Sequence, residues 1–228
     1  MQISGLQKLT LLDYPGHIAA TLFTEGCNFR CPFCHNAALI KGGEKSYLSE
    51  NEVINFLQKR QGLLDGVCIS GGEPLLQEDL AALLRKVKNL GFLLKLDING
   101  SFPDRLQALL DEGLLDYVAM DIKSSPSKYD QACGVPVNFA DIQKSVRLLM
   151  SGQTDYEFRT TMVCELHKAG DFLEIAQWLH GAKKYYLQAF KDTGKLLQSG
   201  LHGFTKDGAE QIKEQISSHF QLIELRGY

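Results

Sequence analysis

Apolar residues recur at spacings of three and four through several stretches of the chain, and short apolar runs rich in aromatic or β-branched residues separate those stretches. Ser49 and Glu52 form a capping box ahead of Val53, Phe56 and Leu57, so a helix starts there. A second helical stripe runs through Leu76, Leu80, Leu83, Leu84, Val87 and Leu90 and stops at Gly91. Further helices follow Pro103 (Leu106, Leu109, Leu110), Asn138 (Phe139, Ile142, Val146, Leu149) and the run Phe172, Ile175, Ala176, Leu179, and a more polar one spans about 206 to 217. The runs 67–70, 92–97, 117–121, 156–161 and 185–188 read as strands, with an earlier one at 18–24 and a last one at 220–225. Alternation of this kind implies parallel strands joined by right-handed crossovers. Tyr14-Pro15-Gly16-His17 suits a type II turn, which makes Leu6–Leu12 the partner of the first strand in a hairpin.

No Ser/Gly- or Pro-rich linker interrupts this rhythm, so residues 1–228 read as one α/β domain, with an N-terminal hairpin at about 1–24 and a loop at 25–36. Six or seven βα units in 228 residues are too few for an eight-fold barrel, which needs about 250, and an incomplete barrel is expected. With 24 Lys and Arg against 27 Asp and Glu, the net charge of −3 provides no field for polyanions or acidic membranes, and nucleic acid is excluded as a main partner. The hydrophobic share of 44% supplies a core. The first ten residues lack a basic stretch followed by an apolar run, and no apolar run is long enough to cross a bilayer, so a cytoplasmic location without membrane contact is expected.

The cysteines change the picture. Cys27, Cys31 and Cys34 crowd into eight residues with the spacing C-x3-C-x2-C, whereas Cys68, Cys133 and Cys164 stand alone and read as packing residues. Structural zinc wants four ligands, and His35, directly after Cys34, reaches the same ion only awkwardly. A 4Fe–4S cluster on three thiolates leaves one iron open for another ligand, and both metals remain possible readings of the spacing. Polar groups also gather where the strands end: Ser70 leads into Gly71-Gly72-Glu73-Pro74, and Asp97, Asn99, Asp121, Lys123, Arg159 and Gln188 sit at or beyond other strand ends. In parallel β/α folds that face carries the active site.

Cys27, Cys31 and Cys34, with Phe33 before the last of them, together with Gly71-Gly72-Glu73-Pro74, resemble the signature of the radical S-adenosylmethionine (SAM) superfamily. The resemblance implies a (β/α)6 partial TIM-like barrel in which the three cysteines hold a 4Fe–4S cluster, whose open iron chelates the methionine end of SAM. Leu12-Asp13-Tyr14-Pro15-Gly16 and the segment 25–36 resemble the activating proteins of anaerobic ribonucleoside-triphosphate reductase, a branch of the glycyl radical enzyme activases. Asp97-Ile98-Asn99-Gly100 and Asp121-Ile122-Lys123 match the pattern with which the related pyruvate formate-lyase activases bind the methionine end and a monovalent cation, whereas Leu187-Gln188-Ala189-Phe190-Lys191 departs from it by lacking a histidine. By the same resemblance the cofactor contacts are Phe33, Gly71, Gly72, Glu73, Asp97, Asn99, Asp121, Lys123, Arg159, Gln188 and Phe190. The catalytic metal ligands are Cys27, Cys31 and Cys34, the electron donor is a flavodoxin or ferredoxin, and the substrate is a glycine of a partner enzyme. The competing readings are a small-molecule radical enzyme, such as a 7-carboxy-7-deazaguanine synthase, and a non-enzymatic metal-stabilised binding module.

Overall fold

The computed structural model describes residues 1–41, 48–192, 194 and 196–228. Strand β1 (Ile3–Thr10) runs antiparallel to β2 (Ala19–Thr24), and the intervening turn closes with the His17 amide donating to the Tyr14 carbonyl at 3.1 Å while Gly16 takes a φ of 78°. That positive φ at the third position is what a type II turn requires of glycine. From β2 onward the chain alternates. After β2 come α1 (Ala37–Lys41) and α2 (Glu50–Gln58), then β3 (Gly66–Gly71), α3 (Leu80–Asn89), β4 (Leu93–Ile98), α4 (Pro103–Asp111) and β5 (Tyr117–Asp121). They are followed by α5 (Tyr129–Cys133), α6 (Phe139–Met150), β6 (Asp155–Met162), α7 (Ala169–Trp178), β7 (Lys184–Ala189), α8 (Lys206–Ile216) and β8 (Leu222–Arg226).

Among the described residues all eight strands lie in one sheet in chain order, and every pair from β2 to β8 is parallel. Six strands, β2 to β7, each lead into helix, which is the (β/α)6 arrangement, and β8 adds a seventh parallel strand. The order leaves β1 and β8 as the two edges, an open barrel. Among the described residues no helix is long and apolar enough to cross a membrane.

Local rules account for most boundaries. The capping box at Ser49 forms in both directions, with the Glu52 amide donating to Ser49 Oγ at 3.2 Å and the Ser49 amide donating to Glu52 Oε2 at 2.8 Å. One start differs from the sequence expectation, and one cap is made differently. Leu76 closes a separate 3-10 turn over Pro74–Leu76, and α3 begins only after Asp79, because Glu73 caps that short turn and Gln77 ends it in extended backbone. Asn138 occupies the cap position of α6, yet its side chain donates to Asp141 Oδ2 at 2.9 Å instead of accepting a backbone amide.

Alternation along the strands divides the sheet into two faces. Val67, Ile69, Leu94, Leu96, Val118, Met120, Phe158 and Leu187 are buried in one apolar cluster with Leu83, Val87, Leu106, Ile142, Val146, Phe172 and Ile175 of the helices. Each such side chain contributes roughly 1.5 to 3 kcal/mol through removal from water. The residues between them on the strands point inward, and many are charged: Lys95, Asp97, Asp121, Glu157 and Arg159 are joined there by Arg226. Glu157, fully buried, receives both Arg226 guanidinium amines, at 2.9 Å on Oε1 and 3.2 Å on Oε2, and the Tyr117 hydroxyl at 3.0 Å. Lys95, 1% exposed, pairs with Asp97. Such pairing is what makes buried charge tolerable.

Candidate active site

The loop after β2 carries the three clustered cysteines, and backbone contacts pin it against the end of β3. The Gly72 amide donates to Thr24 O at 2.9 Å, the Glu73 amide to Gly26 O at 2.8 Å, and the Gly26 amide to Leu39 O at 2.9 Å. The approach is so close that a Cβ on Gly72 would collide with the Gly26 carbonyl, and Gly71 adopts a φ of 113°. Both positions therefore require glycine. Asn36 adds a side-chain tie, its amide donating to Gly71 O at 2.9 Å. On the other side the Arg30 amide donates to Cys133 O at 2.8 Å, which anchors the middle of the loop to the end of α5.

A cavity of about 430 Å³ opens at the carboxyl ends of the strands. It is lined by Cys27, Cys31, Phe33 and Cys34 of the loop, by Gly71, Gly72, Asp97, Asn99, Asp121 and Lys123, and by Arg159 and Gln188. Twelve of the fourteen residues singled out from the sequence thus converge on one space. Asp13, Phe29, His35, Asn36, Ser70 and Thr161 also line it. Ser70 already stands out as a strand end in the sequence, whereas Thr161 belongs to the same inward period-two row as Arg159, which is the signal that would have found it.

Arg159 is the electrostatic centre of the cavity floor. Its Nε donates to Asp121 Oδ1 at 2.8 Å and its Nη1 to Asp97 Oδ2 at 3.4 Å, while Ser70 Oγ donates to the same Asp97 oxygen at 3.0 Å. Lys123 Nζ donates to Asp121 Oδ2 at 3.0 Å. Burial alone would raise both aspartates, but Arg159 with Lys95 holds Asp97, and Arg159 with Lys123 holds Asp121, below the usual carboxylate range. Burial would lower Lys123, yet the charge and hydrogen bond of Asp121, with Cys31 and Cys133 adding to them, together outweigh burial and raise it.

Glu73 lies behind this wall, fully buried. Its Oε1 accepts from the Leu75 amide at 3.0 Å and its Oε2 from the Asn99 amide at 2.7 Å, so the carboxylate caps the 3-10 turn and ties it to the end of β4. Burial pushes its pKa up to about 7 against the pull of those amides. Phe190 packs beside His35, with ring centroids 5.8 Å apart. Burial raises the Cys27 thiol to about 11, partly opposed by the Phe29 amide, and raises Cys34 as well. Cys31 is drawn the other way by the Cys133 thiol beside it.

A family model described as the Radical SAM superfamily matches residues 21–179. The chain belongs to the radical SAM superfamily. A protein of Methanocaldococcus jannaschii carrying the designation glycyl-radical enzyme activating enzyme is 32% identical over 194 residues, covering 83% of this chain and 80% of that protein. The pyruvate formate-lyase-activating enzyme of Listeria monocytogenes is 31% identical over 141 residues, 56% of each chain. Among solved structures, a radical SAM methyltransferase from Sphaerobacter thermophilus superposes with a TM-score of 0.74 at 14% identity, covering 96% of this chain and 68% of that one, which is a likeness of fold.

Membership in the radical SAM superfamily implies a 4Fe–4S cluster and SAM. The donor set fits that group: three thiols of one pinned loop face one cavity, beside two carboxylates and two cations suited to a zwitterionic amino acid moiety. Among the described residues the three thiols do not converge on one point, and the Cys31 thiol is hydrogen-bonded to that of Cys133. A cluster held by Cys27, Cys31 and Cys34 would need all three as thiolates, so its binding would release the protons that burial favours on Cys27 and Cys34.

Proposed function

We propose that this radical SAM protein is a glycyl radical enzyme activase, and that its partner is an anaerobic ribonucleotide reductase. The observation that carries the proposal is the relative with activase designation at 32% identity over 83% of this chain, joined to a cavity that brings the loop cysteines and the strand-end charges together. Cys27, Cys31 and Cys34 are assigned as the cluster ligands. When bound, the cluster would supply one electron, received from a flavodoxin or ferredoxin, for cleavage of SAM to methionine and a 5'-deoxyadenosyl radical, which would take a hydrogen atom from a glycine of the partner and leave as 5'-deoxyadenosine.

The chain's own part is binding, orientation and exclusion of water. Gly71 and Gly72 let backbone approach the methionine moiety closely. Asp97 and Asp121, kept ionised by Arg159, Lys95 and Lys123, offer oxygens to the ammonium group or to a monovalent cation, while Lys123 and Arg159 balance a carboxylate. Asn99 and Gln188 border the same pocket, Phe33 forms an apolar wall on which Lys123 Nζ sits 6.0 Å from the ring centroid, and Phe190 backs His35. The reaction runs without nucleic acid or membrane and takes place in the cytoplasm.

The test is electron paramagnetic resonance after mixing the reduced, reconstituted protein with SAM and an anaerobic ribonucleotide reductase. A glycine doublet on the reductase is expected. Turnover of a free nucleoside or pterin with no radical on any polypeptide would replace this reading with a small-molecule radical enzyme, and failure to cleave SAM would leave only a metal-stabilised module.

Glu73→Gln separates two roles for that carboxylate. A glutamine must set its amide against either the Leu75 or the Asn99 backbone N–H, a loss of about 1 to 3 kcal/mol, so the cluster-free chain is expected to melt earlier. If Glu73 also accepts from the SAM ammonium, affinity for SAM falls roughly tenfold or more while iron content stays at the wild-type level. Unchanged affinity beside a lowered melting temperature confines Glu73 to capping.

A further inference from the structure

Asn99 is held by five hydrogen bonds that leave its amide one orientation. Its backbone N–H donates to Glu73 Oε2 at 2.7 Å. Its Oδ1 accepts from the Ser101 amide at 3.0 Å and from Ser101 Oγ at 2.6 Å. Its Nδ2 donates to Asn28 Oδ1 at 2.9 Å and reaches Cys27 Sγ at 3.9 Å. A flipped amide would set two N–H groups against the Ser101 amide and an oxygen against Asn28 Oδ1 and the sulfur, so the N–H side is fixed toward Cys27. Cys27 Sγ already takes the Phe29 amide of its own loop at 3.4 Å. Asn99 thus adds a donor from a different strand end, oriented by residues on three segments.

We infer that Asn99 is a positioning residue that tunes the iron–sulfur cluster through the Cys27 sulfur, raising its reduction potential so that a biological one-electron donor can reduce it. This rests on Cys27 being a cluster ligand. A reduced cluster carries one more negative charge than the oxidised one, and that charge is shared by the ligating sulfurs. N–H donors on those sulfurs stabilise the reduced form more than the oxidised form. Asn28 and Ser101 act one step further out: Asn28 accepts the second Nδ2 proton, and its own Nδ2 donates to Ser101 Oγ at 2.9 Å, closing a ring of polar contacts around the amide. Glu73 contributes to the same end by fixing the Asn99 backbone.

The experiment is a redox titration of the anaerobically reconstituted full chain, followed by electron paramagnetic resonance with SAM and partner absent. Asn99→Ala is expected to lower the reduced-to-oxidised ratio at fixed potential about tenfold, a midpoint lower by ~59 mV for one electron. Asn99→Asp keeps the shape and the Ser101 contacts but places a carboxylate oxygen against the sulfur, and is expected to lower the midpoint further. Ser101→Ala, which removes one of the two donors that orient the amide, is expected to give a smaller drop in the same direction. Iron content and melting temperature of each variant identify a fold defect. Midpoints of Asn99→Ala and Asn99→Asp equal to wild type would overturn the inference, and so would failure of both to take up iron, which would leave Asn99 a structural residue. A wild-type chain with no 4Fe–4S signal would instead defeat the cluster assignment itself, while shifted midpoints without a glycyl radical on the reductase would defeat only the activase reading.

Discussion

Single replacement of Cys27, Cys31 or Cys34 by Ala is expected to leave the reconstituted protein with almost no 4Fe–4S cluster and with SAM cleavage at background. Two thiolates from this loop cannot hold a cubane with one open iron, and among the described residues no other cysteine lines the cavity to replace the missing one. Cys68→Ala, Cys133→Ala and Cys164→Ala are expected to retain cluster and cleavage. Cys133→Ala is the sharpest of these controls, because Cys133 is buried beside Cys31 and its carbonyl anchors the loop through the Arg30 amide, a bond that survives the substitution. Iron and sulfide content with the yield of 5'-deoxyadenosine measure all six. A Cys133 variant as defective as the trio would mean that the ligand assignment within the loop is wrong.

Arg159→Met is expected to destabilise the cluster-free chain by about 3 to 5 kcal/mol at pH 7, since it strips the shared cation from two half-buried aspartates while nearly conserving volume. For a chain of this size that corresponds to roughly 10 °C or more in melting temperature. The pH dependence identifies the cause. Asp97 and Asp121 have folded-state pKa values below their unfolded ones, so the stability they confer is fully present above the unfolded aspartate range near pH 4 and is lost as pH falls toward the folded values. Without Arg159 those folded values rise. The deficit of the variant against wild type is therefore expected to be greatest at neutral pH and to shrink as pH drops below about 4. A deficit independent of pH would assign the loss to packing.

The elements with strong local signals were legible in the sequence to within a residue or two. The strand Tyr117–Asp121 matches its apolar run end for end, and the capping box at Ser49 forms as its spacing implies. Leu76 was misplaced because its spacing matches the α3 stripe, whereas the chain between Pro74 and Asp79 follows Glu73 and Gln77. The charged interior was half visible. Asp97, Asp121, Arg159 and Gln188 stand near strand ends and drew attention there, but Lys95 and Glu157 sit inside runs that look apolar, and only a strict period-two reading places them on the concave face. The contact between Cys31 and Cys133 carries no local signal. It exists because α5 folds against the loop after β2, with the Arg30 amide donating to Cys133 O at 2.8 Å, although β3 and β4 separate β2 from β5 in the sheet, and no window of sequence contains that approach. Asp13 reaches the cavity for a similar reason, held by Thr21 Oγ1, which donates to its Oδ2 at 2.5 Å from within β2.

The pairing of Arg226 with Glu157 spans 69 residues and crosses from β6 to β8, with β7 between them. A parallel sheet grows by crossovers, each of which closes a long loop before its contacts repay it. Without β8 docked, the native contacts left to the Glu157 carboxylate among those described are the Tyr117 hydroxyl at 3.0 Å and a distant Arg159 at 4.0 Å. On the ribosome Glu157 emerges 69 residues ahead of Arg226, so the bidentate partner of this carboxylate is the later of the two to be made.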